Sequence, residues 1–62
     1  MLISEKASSL VRHKRVDNGF SKSQLAENLN IARSTLVKIE KGNYDAPKRI
    51  YESVMNWLIE DL

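Results

Sequence analysis

Residues 20–42 read FSKSQLAENLNIARSTLVKIEKG, from Phe20 to Gly42. Two short helical patterns share this stretch, separated by a tight polar turn. The first opens at Ser21, a good N-cap, and Gln24 stands three residues on, which completes a capping box. Phe20 and Leu25 hold the two positions of a hydrophobic staple across that cap. Leu25, Ala26 and Leu29 give the helix one apolar face. Asn30 follows, a residue that tolerates the left-handed conformation ending a helix. The second pattern runs from about Arg33 to Lys41. Ile31 and Leu36 repeat the staple spacing around Ala32, and Gly42 supplies the stop.

Two helices of about two turns, joined by three or four residues, form a helix-turn-helix arrangement. At ~100° per residue, Leu36 and Ile39 fall on one side of the second helix. Ser34, Val37, Lys38 and Lys41 fall on the other, with Arg33 at the N-terminal tip. That second side carries basic, small and methyl-bearing groups and no acid. Arg and Lys can read guanine in a major groove, Ser is versatile, and an exposed Val can meet a thymine methyl. An ordinary solvated helix with surface lysines is the competing reading.

Working outward, Ser4 can cap a first helix that ends near Val16 or Asp17. Ile3, Ala7, Leu10 and Val11 form its apolar stripe. Arg12, His13, Lys14 and Arg15 make a basic run near its end, where positive charge favours the helix dipole without any need for DNA. Asp17-Asn18-Gly19 is a turn signal. Beyond Gly42, Asn43-Tyr44-Asp45 reads as a loop. Asp45 is a candidate N-cap, with Pro47 in the first turn of a last helix from about Ala46 to near Asp61. No strand pattern, repeat or linker is visible.

The chain has 62 residues, no cysteine, 29% charged and 42% hydrophobic residues, which describes one small globular domain over residues 1–62. No apolar run approaches the ~20 residues that span a bilayer, and no signal peptide is visible, so a cytoplasmic location is expected. The net charge of +2 is unevenly spread. Residues 12–49 hold nine Lys/Arg against four Asp/Glu, and residues 50–62 hold Glu52, Glu60 and Asp61 with no base. A basic middle suits a polyanion; chance is the plain alternative with so few charges.

Catalytic chemistry has no foothold. His13 is the single histidine, and a triad or zinc site needs convergent partners. The carboxylates are scattered, and the two glycines sit at turns and not in a phosphate-binding loop. No enzyme activity, cofactor, metal, small-molecule ligand or membrane partner is expected.

The Phe20–Gly42 stretch resembles the helix-turn-helix of the Cro and repressor family, the XRE-like DNA-binding domains of phages and bacteria. The residues that carry the likeness are Ser21-Lys22, Leu25-Ala26, Leu29, Ile31, Arg33-Ser34-Thr35-Leu36 and Lys38-Ile39-Glu40-Lys41-Gly42. It extends upstream through Lys14-Arg15-Val16 and Gly19-Phe20, and downstream to Pro47. The likeness implies an all-α, lambda-repressor-like fold of four helices, or five if the last divides. It implies a sequence-specific regulator of transcription that binds duplex DNA at a palindromic operator, as a homodimer. By the same likeness Arg33, Ser34, Val37 and Lys38 face the bases. Ser21, Lys22, Thr35, Lys41, Asn43, Tyr44, Lys48 and Arg49 are candidates for phosphates. Arg15 and Glu40 are expected to form a largely buried ion pair tying two helices together, in place of two exposed charges.

Three departures from the family stand out. Ala32 replaces a frequent Ser cap, which costs the recognition helix about 1 kcal/mol. Asn30 replaces Gly in the turn. The fourth helix either absorbs the family's fifth or lacks it. The apolar residues of that helix (Ile50, Tyr51, Val54, Met55, Trp57, Leu58, Ile59 and Leu62) cover an arc wider than one small core needs. Ile50, Val54 and Leu58 fit the intramolecular core. Met55, Trp57, Ile59 and Leu62 are then candidates for a dimer interface, unless Trp57 simply closes the monomer's core. An antitoxin-like module, whose tail binds a partner protein and whose DNA binding regulates its own operon, is the alternative function.

Overall fold

A computed structural model describes residues 1–60. Its elements in order are β1 (Leu2–Ile3), α1 (Glu5–Asp17), α2 (Lys22–Leu29), α3 (Arg33–Lys41), β2 (Tyr44–Asp45) and α4 (Lys48–Ile59). Four helices make the fold, as the pattern predicts, and no fifth helix occurs among the described residues.

The local signals act as read in the first three helices. Ser4 Oγ accepts from the Ala7 amide at 3.2 Å. The Ser21–Gln24 box is closed in both directions, Gln24 N to Ser21 Oγ at 3.1 Å and Ser21 N to Gln24 Oε1 at 2.8 Å. Asn30 takes φ 57°, ψ 47°, and its N–H returns to Ala26 and Glu27 carbonyls. Ala32 gives α3 no side-chain cap.

α3 lies between α2 and α1, and α4 closes against α1 and α2. Ile3, Val11, Leu25, Leu36, Ile39 and Val54 are fully buried, with Ala26, Leu29, Ala46, Ile50 and Trp57 around them. α1, α2 and β2 pack on α3, whose Leu36 and Ile39 are buried, while Arg33, Ser34, Val37 and Lys38 stay in solvent.

Several expectations need correction. Residues 43–45 are not a plain loop: β2 pairs antiparallel with β1, Leu2 opposite Asp45 and Ile3 opposite Tyr44. Two-residue strands are too short to show an alternating pattern, so nothing local signals them. Ile3 is therefore a buried strand residue and not part of the α1 stripe. Helix α1 starts after it, which turns Leu10 outward, 53% exposed, and Ser8 inward. Asp45 does not cap α4. Its carboxylate accepts from the Met1 amine at 2.9 Å, and Ala46 N donates to Met1 O at 2.8 Å. Pro47 is the N-cap residue and α4 begins at Lys48. Trp57, not Leu58, joins Ile50 and Val54 in the core, 3% exposed, because positions 50, 54 and 57 share one helical face.

Candidate nucleic-acid interface

The solvent side of α3 carries Arg33, Ser34, Val37 and Lys38, all exposed. Val37 is 42% exposed, so its methyl groups are open to a partner on that face. Nine residues at 1.5 Å each give a helix about 13 Å long, short enough to lie in a major groove about 12 Å wide. Leu36 and Ile39 hold it from behind.

The flanking candidates divide. Ser21 and Lys22 sit exposed at the start of α2. Lys48 and Arg49 are exposed at the start of α4; Lys48 Nζ lies 3.9 Å from Glu52 Oε1, a surface pair that leaves the ammonium accessible. Arg49 lines a shallow hollow with Thr35, Asn30, Ala32 and Glu27, so Thr35 and Arg49 converge beside the turn. Asn43 is exposed at φ 53°, with its amide 3.5 Å from Glu5 Oε1. Tyr44 is half-buried against the core. Lys41 stands apart from Arg33, Ser34, Val37 and Lys38: it lines a hollow with Glu5, Lys6, Ser9 and Arg12 on the α1 side.

Behind α3, Arg15 Nε donates to Glu40 Oε2 at 2.9 Å and Nη2 to Oε1 at 3.3 Å. The same guanidinium donates to Phe20 O at 3.0 Å, so one side chain joins α1, the entry to α2 and the end of α3. The side chains are 16% and 5% exposed, and the pair is largely buried.

Beyond the expected Arg15–Glu40 pair, sequence reasoning offered the Arg12–Arg15 run only the dipole of its own helix. The structure sends these cations elsewhere. Arg12 Nη1 donates to Glu40 O, at the end of α3. Lys14 Nζ donates to Trp57 O and lies 4.9 Å from the centre of that indole, at the end of α4. They meet the negative ends of two other helices. Ser8, fully buried, donates from Oγ to Ile39 O at 2.5 Å. None of these partners is near in sequence, so only a serine on an apolar face hinted at the last.

The dimer candidates also divide. Trp57 belongs to the monomer's core, which leaves it no free face for a partner. Ile59 is 57% exposed, and Met55 is half-buried. With Ala7, Leu10, Lys14 and Leu58 they line an apolar hollow between α1 and α4. Leu62 lies outside the described residues. Among the described residues no helix is long and apolar enough to cross a membrane.

Known proteins place this arrangement. The sequence profile of the helix-turn-helix family matches residues 11–49, the end of α1 through the start of α4. A protein of Pyrobaculum aerophilum, provisionally named an HTH-type transcriptional regulatory protein, is 38% identical over 52 residues, 84% of this chain. The chain spans 21% of that relative's length. No solved structure gives a significant match. With the profile covering the capped α2, the αL turn and the exposed face of α3, the chain belongs to the XRE-like helix-turn-helix family.

Proposed function

We propose that the chain reads a duplex DNA sequence through α3 and regulates transcription in the cytoplasm, in the manner of the Cro and phage-type repressors its motif resembles. The observation that carries this reading is the acid-free face of Arg33, Ser34, Val37 and Lys38, exposed on a helix whose other side is fully buried. The helix starts of α2 and α4 then present Lys22, Lys48 and Arg49 to phosphates. Selection of bound duplexes from a random pool tests the reading directly. Enrichment of one palindromic motif is expected, and a pool that stays random would refute it.

The two classes of contact separate by their effects. Arg33→Ala and Lys38→Ala should each lower affinity for the selected duplex by about 1–3 kcal/mol and relax preference at particular base pairs. Lys22→Ala and Lys48→Ala should weaken all duplexes alike, each reducing the salt slope by about one unit. Fluorescence titrations at several salt concentrations measure both quantities. If Lys38→Ala weakens every sequence equally, Lys38 is not a base reader.

A palindrome calls for two copies. Each copy carries one α3, and its backbone spans 26 Å along the longest axis against ~34 Å between half-sites one turn apart, so each copy reads one half-site. The second copy fits the α1–α4 hollow, where Leu10 and Ile59 expose apolar surface at its rim. Glu52 on α4, Glu60 just past its end and Lys6 on α1 are exposed charges able to pair across a two-fold axis. Ile59→Lys, at an exposed site, should leave the fold intact and abolish dimerisation in sedimentation at micromolar concentration. Half-site affinity should then persist while affinity for the full palindrome drops. A wild type that stays monomeric on operator DNA rules out the dimer.

A further inference from the structure

The recognition helix has weak ends of its own. At its start Ala32 offers no capping oxygen. At its end Gly42, with φ 105° and ψ 156°, swings the chain straight into β2. Among the described residues, no backbone amide beyond the helix returns to the Ile39 or Glu40 carbonyls, which a helix-closing turn would have satisfied. Gly42 is also boxed in: a Cβ there would stand 3.1 Å from Glu5 Cγ, so the exit path is fixed by α1 as well.

The missing partners come from α1. Ser8 Oγ donates to Ile39 O, and Arg12 Nη1 donates to Glu40 O. Ser8 and Arg12 stand one turn apart on one side of α1, so they grip two successive carbonyls of α3. The Ser8 bond is wholly buried and fixes distance. The Arg12 bond is partly open to water and brings a positive charge to the negative end of the helix. Lys38 sits in this same last turn, one and two residues before the gripped carbonyls. Because a base contact demands placement within a fraction of an ångström, any roll of that turn moves the Lys38 ammonium off its target edge.

We propose that Ser8 and Arg12 are positioning residues for sequence readout: they set the roll of the recognition helix on the body of the domain, and so set how strictly Lys38 reads its base. This rests on the DNA reading above. Arg12 also lines the hollow shared by Lys6 and Lys41, so a phosphate contact is the rival role, and the two differ in what they do to salt dependence.

The test compares wild type, Ser8→Ala, Arg12→Gln and Arg12→Lys on the selected duplex and on a scrambled duplex across a range of salt, well below each variant's melting temperature. For Ser8→Ala and Arg12→Gln, specific affinity should fall roughly tenfold, the size of one base contact, with relaxed preference at the Lys38 base pair. Affinity for the scrambled duplex and the salt slope should stay at wild-type values. Arg12→Lys keeps a donor and the charge, and should recover most of the specificity. If Ser8→Ala does not fold, the exposed Arg12 still decides the matter. Equal loss on both duplexes with a shallower salt slope would make Arg12 a phosphate contact and overturn the proposal, as would unchanged specificity in Arg12→Gln. A wild type that does not distinguish the two duplexes would overturn the DNA reading itself.

Discussion

Glu40→Ala should lower the unfolding free energy by about 3–5 kcal/mol in a urea melt, because it strands a mostly buried guanidinium. Arg15 directs Nε and Nη2 at that carboxylate and Nη1 at Phe20 O, so its fork is committed on all sides. With Glu40 gone the cation keeps one carbonyl partner and little water. A 62-residue domain holds only about 3–9 kcal/mol in total, so the variant loses a third or more of its stability. Glu40→Gln retains one acceptor oxygen and should lose less. Replacing both partners with leucine removes the buried charges together and should cost far less than Glu40→Ala. A loss of only ~0.5 kcal/mol in the alanine variant would mean that the pair behaves as a solvated one.

Trp57→Ala should cost about 3–5 kcal/mol in the monomer, by cavity formation in the core. Trp57 is 3% exposed and shares the core with Ile50 and Val54. Its ring also carries the Lys14 ammonium at 4.9 Å, a contact worth roughly 0.5–2 kcal/mol that the alanine removes. The measurement is a thermal melt at several protein concentrations. A loss that is independent of concentration marks a monomer effect; a loss that vanishes on dilution would restore Trp57 to an interface. Ile59→Lys should show the opposite pattern, little change in the dilute melt and loss of association.

The core and surface of α2 and α3 were legible because their determinants are local. A capping box closes within four residues, Asn30 needs only its own φ, and the 3.6-residue period sorts Leu36 and Ile39 from Arg33, Ser34, Val37 and Lys38 before any other element is placed. The same economy failed at the edges. Ile3 looked like the start of a helical stripe because Ala7 and Val11 continue its spacing; its true partner, Tyr44, is 41 residues away. Asp45 before Pro47 looked like a cap, yet the Met1 amine holds it in β2. In α4 an apolar arc of about 200° could not say which third faces inward, since spacing by four and spacing by three or four both fit. The choice of Trp57 over Leu58 is made by the packing of α4 against α1 and α2, which buries Trp57 to 3% exposure.

By itself, then, the sequence determined the four helices, the turn between α2 and α3 and the side of α3 that faces solvent, since caps, turn residues and periodicity act within a few residues of chain. Only the tertiary structure decided where Arg12 and Lys14 go, whereas the Arg15–Glu40 pair was expected from the family likeness. Arg12, Lys14 and Arg15 are adjacent in sequence but end on Glu40 O, Trp57 O and the Glu40 carboxylate, on two different helices. Successive residues of a helix point about 100° apart, so a compact basic run is dispersed around α1, and packing alone selects which helix end each side chain meets.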